Sequence, residues 1–154
     1  MSPAGAWGRA GILLGLVLAV DQVTKALVRH NVVVGSEDGV FPGVQIVHVR
    51  NKGVAFGALA GNPIVLVVVV GALLALVTWF ALNARRRYVW LPTGLLLGGA
   101  FGNIVDRVAH GAVTDFVKLP LGWPAFNVAD MSITGGVIAL LIVLERRDEA
   151  DDAT

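Results

Sequence analysis

The sequence contains no cysteine and few charged residues: Cys 0, and 15% Asp, Glu, Lys and Arg in 154 residues. Without cysteine there is no disulfide, thiolate nucleophile or cysteine-ligated zinc. The low charge argues against an ordinary soluble domain, in which about 25% of residues are charged, and a net charge of +1 gives no reason to expect nucleic acid. His30, His48 and His110 are too far apart for metal-ligand spacing. We interpret them as loop residues and expect neither a metal nor another cofactor.

Hydrophobic residues dominate the chain, at 56% of the sequence with a mean hydropathy of +0.76. A membrane span needs about 20 mostly apolar residues, and four stretches qualify: about 8–28, 62–82, 91–109 and 128–144. The second contains no charge, whereas the second half of the third, GNIVDRVAH, is polar. We retain the third because four spans make the charge distribution consistent. The pattern predicts an all-α membrane protein forming a single domain over residues 1–154.

Clusters of arginine predict the orientation of these spans. Arg9 precedes the first span, Arg85–Arg87 separate the second and third, and Arg146 and Arg147 follow the fourth. Because basic residues favour the cytoplasmic side, both termini are expected there. The alternative for the first span is a cleaved signal peptide. No A-x-A cleavage site follows it and the polar DQVTK interrupts it, which favours a retained helix.

Two segments then lie outside the cytoplasm, residues 30–61 and about 111–127. In the first, VVV and VQIVHVR flank the turn-forming GSEDGVFPG, which predicts a small element of two or more strands. The second contains Pro120 and Pro124, where a helix is hard to continue, and Trp123 is suited to the membrane interface. The segment NKGVAFGALAG at 51–61 has small residues and Phe56. It is either a mobile lid or a rigid surface loop.

Polar residues converge on one depth in this topology, because spans one and three run outward and span four runs inward. The converging residues are Asp21, Gln22, Thr24, Lys25, Asn51, Asn103, Asp106, Arg107, Asp115, Asn127 and Asp130. A charge within a span costs at least about 2.5 to 3.5 kcal/mol at mid-depth. We therefore interpret the cluster as functional or as a structural link between helices.

Structural interpretations remain open for several of these residues. Asn127 and Asp130 have the spacing of a helix N-cap and its third residue, which taken alone is favoured over catalysis. Asp21 and Lys25, four residues apart, have the spacing of an ion pair. Glycines in the third span recur at three- or four-residue spacing, which is typical of close helix packing. These glycines are Gly94, Gly98, Gly99 and Gly102.

Two aspartates provide the chemistry that the remaining residue types allow. No serine lies near a histidine in this topology, so a Ser/His/Asp triad is disfavoured. Two close carboxyl groups in a low-dielectric site share one proton, so that one activates water while the other polarises a carbonyl. Asp115 and Asp130 are the natural pair, whereas Arg107 offers Asp106 a structural role. The alternatives are a proton-coupled carrier, for which four spans without repeats are few, and a scaffold.

Five sequence blocks carry a resemblance to a known family. They are DQVTK at 21–25, NKGVAFG at 51–57, GGAFGNIVDR at 98–107, VTDF at 113–116 and FNVAD at 126–130. In these blocks and their order the chain resembles lipoprotein signal peptidase, or signal peptidase II, the bacterial aspartic protease of the membrane that removes signal peptides from prolipoproteins.

The resemblance implies cleavage on the amino side of a diacylglyceryl-modified cysteine, with Asp115 and Asp130 as the catalytic residues. It also implies residues that shape or support the site, namely Asp21, Lys25, Asn51, Gly53, Asn103, Arg107, Asn127 and Ala129. A similar fold has four transmembrane helices, an extracytoplasmic β cradle and a short surface helix. We expect a monomer in the bacterial cytoplasmic membrane, with prolipoproteins and lipids as partners.

One residue departs from the family pattern. Thr114 stands before Asp115, where the resemblance leads us to expect an aliphatic residue. We expect its hydroxyl to hydrogen-bond the carboxylate and favour the charged form.

Overall fold

A computed structural model describes residues 2–53, 64–86, 88–120 and 122–152. The described residues form four helices and three strands in the following order: α1 (Pro3–Asn31), β1 (Glu37–Phe41), β2 (Val44–Asn51), α2 (Ile64–Asn83), α3 (Trp90–His110), β3 (Val113–Lys118) and α4 (Val128–Asp152). Each helix covers nearly all of one predicted apolar stretch. The prediction of a mainly helical chain with a small β element is confirmed. No short surface helix occurs in these ranges, and residues 54–63 lie outside them.

Two of the helices are long and apolar enough to cross a membrane, by length and composition. They are Pro3–Asn31 and the Val128–Glu145 part of α4, and Gly71–Asn83 within α2 is a shorter apolar helix. Leucine and isoleucine side chains on α1 and α4 remain exposed, such as Ile12 at 68% and Leu141 at 60%. Exposed apolar side chains of this kind are suited to a lipid environment rather than to water.

Helix α3 packs closely against both α1 and α4 through its glycines. A Cβ atom added to Gly98 would lie 2.7 Å from the Cβ of Val17, and one added to Gly102 would lie 2.5 Å from an Asp21 carboxylate oxygen. Gly94 and Gly99 are crowded as well, with the nearest atom 2.9 Å from a Cβ added to Gly94 and closer still to one added to Gly99. The sequence prediction that these glycines allow close packing is confirmed. Their closeness brings the polar side chains of three helices within hydrogen-bond reach.

Gly98→Ala should therefore destabilise the protein. The added methyl group forces α1 away from α3, and overpacking of this kind costs about 1 to 3 kcal/mol. Thermal unfolding in detergent micelles measures the effect. Gly15→Ala is the matched control, because a Cβ there meets no atom within 4 Å and alanine is the better helix former. Equal unfolding midpoints for the two variants would contradict the packing role of Gly98.

The three strands form one antiparallel sheet in the order β1-β2-β3. The turn between β1 and β2 is Pro42–Gly43, in which Gly43 has a φ of 85° that disfavours other residues. The first strand is thus EDGVF, within the segment predicted as a turn, and the prediction that VVV at 32–34 is a strand is wrong. The Pro-Gly pair alone provides the reversal, which leaves the preceding residues free to pair with β2.

Strand β3 was not predicted from the sequence. It begins the second outer segment and pairs with β2, placing Asn51 opposite Val113 and Val49 opposite Asp115. Phe126 also pairs with Val117, which returns the chain to β3 immediately before α4. This pairing places Asp115 beside both Asn51 and the start of α4.

The interpretation of the three histidines as loop residues is wrong. His30 lies in the last turn of α1, and His110 is the last residue of α3. Both helices continue to their basic ends because cations favour a helix C-terminus. His48 lies in β2, only 5% exposed, with its Nδ1 2.9 Å from the carbonyl oxygen of Val32.

The interior of the helical region is apolar at one end and polar at the other. At the apolar end, Trp7 of α1 meets Phe80 of α2 edge to face, with ring centroids 4.5 Å apart. Arg9 lies at the same end, with its guanidinium carbon 5.8 Å from the ring centroid of Trp90. The polar end lies where α1 and α3 finish, α4 begins and β3 passes across them.

Candidate active site

The polar end of the helices contains an unusual number of buried polar and charged side chains. Those that are at most 9% exposed are Asp21, Lys25, Asn103, Asp106, Thr114, Asp115 and Asn127. Every fully buried side-chain nitrogen or oxygen among the described residues has a hydrogen-bond partner. The convergence expected from the topology is therefore present, as one connected network rather than as scattered polar groups.

Asp115 lies on β3 and is 2% exposed. Its Oδ1 accepts a hydrogen bond of 2.6 Å from Asn127 Nδ2, and its Oδ2 accepts one of 3.0 Å from Asn51 Nδ2. Burial raises the pKa of Asp115 to about 6, an effect that the hydrogen bond from Asn51 opposes and the charge of Asp130 adds to. This carboxyl group can hold a proton closer to neutral pH than an ordinary aspartate.

Asp130 lies in the first turn of α4. Its Oδ1 accepts a 2.8 Å hydrogen bond from Asn103 Nδ2, and its Oδ2 accepts one from the backbone N–H of Asn127 at 3.2 Å. In return, the side chain of Asn127 accepts a 2.9 Å hydrogen bond from the backbone N–H of Asp130. The predicted N-cap is confirmed as a reciprocal capping box. Capping uses one carboxylate oxygen, and the other carries the contact with α3.

Asn127 connects the two carboxyl groups. Its Nδ2 donates to Asp115 while its Oδ1 accepts from the backbone of Asp130. It is fully buried. One amide side chain therefore sets the position of β3 relative to the start of α4, and with it the relation of the two aspartates.

Lys25 is the cation at the centre of the network and is fully buried. Its Nζ lies 2.8 Å from Asp21 Oδ2 and 3.5 Å from Asp106 Oδ2, and it donates a 2.9 Å hydrogen bond to Asn103 Oδ1. The predicted pair of Asp21 and Lys25 is confirmed and extends to a second aspartate. Since Asn103 in turn donates to Asp130, Lys25 orients that carboxylate through one intervening side chain.

Asp21 also contacts the start of α4 directly. Its Oδ1 accepts a 2.8 Å hydrogen bond from the backbone N–H of Ala129, and its Oδ2 accepts one of 3.1 Å from Gln22. Ala129 is itself fully buried, and its carbonyl oxygen is one of the atoms that crowd Gly99. The first turn of α4, which carries Asp130, is thus held by α1 and α3 together.

Asp106 has a structural role, but Arg107 is not its partner as the sequence led us to expect. Its Oδ1 lies 3.2 Å from an Arg29 guanidinium nitrogen, and its Oδ2 accepts a 2.8 Å hydrogen bond from the backbone N–H of Thr114. Lys25 lies on the same side. Consecutive residues of a helix point in different directions, so Asp106 and Arg107 face different neighbours.

Arg107 and Gly53 connect α3 to the end of β2. The guanidinium donates to the carbonyl oxygens of Gly53 at 3.0 Å and Asn103 at 3.1 Å. The backbone N–H of Gly53 donates to Asn51 Oδ1 at 3.0 Å. The first three residues of the proposed lid are therefore anchored beside Asp115. The rest of that segment, including Phe56, lies outside the described residues.

The hydroxyl of Thr114 does not contact Asp115 in the way we expected. It accepts a 3.2 Å hydrogen bond from Arg29 instead. Successive side chains of a strand point to opposite faces, so Thr114 and Asp115 cannot both face the same partner. The backbone carbonyl of Thr114 accepts a 3.4 Å hydrogen bond from Asn127.

A cleft of about 1440 Å³ opens beside the two aspartates. Its polar part contains Asp115 and Asp130 together with Asn51, Asn103 and Arg107. Apolar side chains of α2, α3 and α4 form much of the remaining wall, among them Leu73, Leu76, Leu96, Met131 and Ile133. Charged side chains also line the cleft, namely Glu37, Arg50, Lys52 and Lys118. A cleft that combines charged and amide side chains with a long apolar wall is suited to a ligand that has both a polar reacting group and hydrocarbon chains.

Comparison with known proteins identifies the family. The family model described as signal peptidase (SPase) II matches residues 13–145. The chain belongs to the signal peptidase II family. It is similar to the lipoprotein signal peptidase of Maridesulfovibrio salexigens, with 38% identity over 86% of this chain and 92% of that one. It is also similar to the lipoprotein signal peptidase of Solibacter usitatus, with 41% identity over 91% and 92% of the two chains.

Solved structures agree with this assignment. One described as a bacterial membrane enzyme has a TM-score of 0.84 and 34% identity, covering 90% of this chain and 88% of the other. A second with the same description has a TM-score of 0.78 and 33% identity, covering 89% and 92%. The resemblance seen in the sequence is therefore confirmed. As a signal peptidase II, this chain is a membrane peptidase of the aspartic type, whose family removes signal peptides from prolipoproteins.

Sequence reasoning missed one residue that contacts the signal peptidase II network. Arg29 reaches both Asp106 and Thr114. Gln22, which the sequence placed in the converging cluster, donates to the carbonyl oxygen of Gly102 at 3.1 Å. Arg29 directly follows the first predicted span, and the sequence analysis gave it no role. Its spacing offered a signal, since it lies four residues after Lys25 and hence on the same helix face.

Proposed function

We propose that this chain is an intramembrane aspartic endopeptidase that cleaves prolipoproteins on the amino side of a diacylglyceryl-modified cysteine. Asp115 and Asp130 are the catalytic pair in this proposal. Membership of the signal peptidase II family supports the substrate class. The amphipathic cleft supports the lipid modification, because its apolar wall is adjacent to the two carboxyl groups.

The observation that carries the proposal is the arrangement of Asp115 and Asp130 at one cleft. Each carboxyl group is held by an asparagine amide, and the charge of Asp130 raises the pKa of Asp115. Interacting carboxyl groups of this kind share a proton over a range of pH. Asp21 and Asp106 are both fully buried, and each is bound by Lys25. They therefore serve structure.

The reaction follows from one shared proton. The charged carboxylate takes a proton from water as its oxygen attacks the scissile carbonyl carbon, while the protonated carboxyl group hydrogen-bonds the carbonyl oxygen. The tetrahedral intermediate then breaks its C–N bond, and the proton taken from water passes to the departing cysteine nitrogen. The products are a signal peptide with a free carboxylate and a lipoprotein with a free amino group. The dyad ends the cycle with one proton.

The supporting residues divide by what they hold. Asn51 and Asn127 orient Asp115, and Asn103 orients Asp130. Asp21, Lys25 and Arg107 hold these amides and the start of α4 in place. Gly53 follows β2 beside the cleft. Ala129 lets α4 approach α3 closely and offers its N–H to Asp21. Preorganised groups of this kind reduce the reorganisation needed in the transition state.

We place the protein in the bacterial cytoplasmic membrane as a monomer with four spans and cytoplasmic termini. The arginine clusters support this orientation, because basic residues favour the cytoplasmic side and Arg9, Arg85 and Arg86 lie at the helix ends away from Asp115. The cleft then lies near the extracytoplasmic face, at the depth where a diacylglyceryl group in the outer leaflet would hold a neighbouring peptide bond. Residues 1–154 act as a single domain, and α1, which contributes Asp21 and Lys25, is retained.

Comparison of two precursors tests the function. Purified wild type in detergent micelles is incubated with a diacylglyceryl-modified prolipoprotein and with the same precursor lacking the modification. We expect cleavage of the modified precursor alone, with the modified cysteine as the new N-terminal residue by mass spectrometry. Equal cleavage of both precursors would rule out lipid recognition, and cleavage of neither would rule out the proposed reaction.

The hydrogen bond from Asn51 predicts a change in pH dependence. It stabilises the charged form of Asp115 and so lowers the pKa of that group. Asn51→Ala should raise this pKa, moving the alkaline limb of kcat/KM to higher pH by about one unit, since a hydrogen bond to a charge contributes about 1.5 to 3 kcal/mol before compensation. The control is Asn31→Ala, whose exposed side chain donates a 2.8 Å hydrogen bond to the carbonyl of Leu27 on its own helix. An unmoved limb, or one moved to lower pH, would contradict the role of Asn51.

A further inference from the structure

Arg29 and Thr114 form a connection between α1 and β3 that lies outside the catalytic pair. The Arg29 guanidinium uses one nitrogen for two contacts of 3.2 Å, one to Asp106 Oδ1 and one to the hydroxyl of Thr114. Its side chain is 23% exposed, whereas Asp106 is fully buried. The cation therefore covers the buried carboxylate from the edge of the site.

Thr114 is bound through all of its polar groups. Its backbone N–H donates to Asp106 at 2.8 Å, its hydroxyl accepts from Arg29, and its carbonyl accepts from Asn127 at 3.4 Å. It is 3% exposed. Because Asp115 is the next residue in the same strand, fixing this peptide from both sides also fixes the direction of the Asp115 side chain.

The charges also balance across this connection. Asp21 and Asp106 are two fully buried carboxyl groups, and Lys25 supplies one positive charge between them. Arg29 provides the second positive charge next to Asp106, and His110 Nδ1 lies 3.8 Å from the same carboxyl group. A buried carboxylate without a compensating cation destabilises the fold. Replacing Arg29 by a neutral residue should therefore weaken the hydrogen bond from the Thr114 N–H to Asp106.

We propose that Arg29 and Thr114 are positioning residues that orient Asp115 for cleavage. This inference rests on the proposed function and adds to it a specific use for the hydroxyl at position 114. An aliphatic residue there would leave Arg29 with Asp106 alone. The hydroxyl gives the guanidinium a partner on β3 in addition to Asp106 on α3. This contact fixes the end of α1 relative to the strand.

Steady-state kinetics of Arg29→Met, Thr114→Val and the double variant test the proposal. We expect each single variant to lower kcat about three- to tenfold, because even a small displacement of a reacting group slows the chemical step. KM should stay within about twofold of wild type. The double variant should lose no more than the larger single effect, since both substitutions break the same contact. Thr114→Ser should restore wild-type kcat.

Arg9→Met is the matched control, because Arg9 lies on the same helix at the opposite end and contacts Trp90 instead. It should leave kcat unchanged. Wild-type kcat in both single variants, multiplied effects in the double variant, or equal losses in Thr114→Ser and Thr114→Val would each overturn the proposal. If Arg29→Met does not fold, the comparison of kcat between Thr114→Ser and Thr114→Val tests the proposal.

Hydrogen exchange provides a measurement that needs no activity. Amides of β3 should exchange faster in Arg29→Met and Thr114→Val than in wild type, and at the wild-type rate in Arg9→Met. Unchanged exchange in all variants would overturn the inference even if wild type cleaves the precursor. Faster exchange in Arg29→Met and Thr114→Val, together with a wild type that cleaves no precursor, would support the connection and remove the proposed function.

Discussion

Asp115→Asn and Asp130→Asn should each lower kcat for the modified precursor by about 10³-fold or more, because each removes the proton-transfer group on one side of the scissile bond. Folding should survive. Burial raises the pKa of Asp115 to about 6, so an uncharged amide of the same shape removes a desolvation penalty. The new amide nitrogen opposes this gain, because it replaces an oxygen that accepts from Asn127 or Asn51. We therefore expect an unfolding midpoint for Asp115→Asn close to that of wild type.

Single-turnover cleavage with excess enzyme measures the loss, and thermal unfolding in the same micelles confirms the fold. Glu145→Gln is the control, since it makes the same chemical change at an exposed residue of α4, fifteen residues beyond Asp130. It should retain wild-type kcat. Turnover within tenfold of wild type in either aspartate variant would show that the pair is not the catalytic dyad, and Asp106 would then be the next carboxylate to examine.

Lys25→Met should have the largest effect on stability, about 3 to 5 kcal/mol, because it leaves buried charge without its cation. Lys25 is bound by both Asp21 and Asp106, and all three side chains are fully buried. The loss should also reach the dyad, since Asn103 would lose the donor that orients it towards Asp130. We expect cleavage to fall together with the unfolding free energy measured in mixed micelles.

Two further variants separate this charge effect from loss of packing. Lys118→Met breaks the pair of Lys118 with Glu37, both partly exposed, and a surface pair of this kind contributes about 0 to 1 kcal/mol. Asp106 keeps Arg29 as a cation, so Asp21 is the carboxylate that Lys25→Met leaves without one. Adding Asp21→Asn to Lys25→Met removes that charge and should recover part of the stability. A loss for Lys25→Met no larger than that for Lys118→Met would show that the network does not depend on its central cation.

Features that depend on local chemistry were predicted well from the sequence. The four helices follow from runs of apolar residues, which a lipid environment selects without reference to the rest of the chain. Asn127 and Asp130 cap α4 because the capping box needs only residues three apart. The glycines of α3 pack against neighbouring helices, as their spacing indicates. The convergence of polar residues followed from the order of the helices alone.

Features that depend on pairing between distant segments were not predicted. Strand β3 follows α3 directly, and its partner β2 lies more than sixty residues earlier, as in the pair Val49 and Asp115. Its six residues are too few for a strong periodic signal. The partners of Asp106 were missed for the same reason, because Arg29 and Thr114 reach it from α1 and β3. The sequence therefore predicted which residues form the network, but not which of them contact each other.

The pH profile of kcat/KM for wild type is the most direct test of the claim that Asp115 and Asp130 share one proton. A shared proton predicts a bell-shaped profile, since activity is lost when both groups are protonated and again when both are charged. The alkaline limb should lie at about pH 6 or above, because burial raises the pKa of Asp115. A profile that rises through the acid range and stays level to pH ~9, well past the ordinary carboxyl range, would contradict the account.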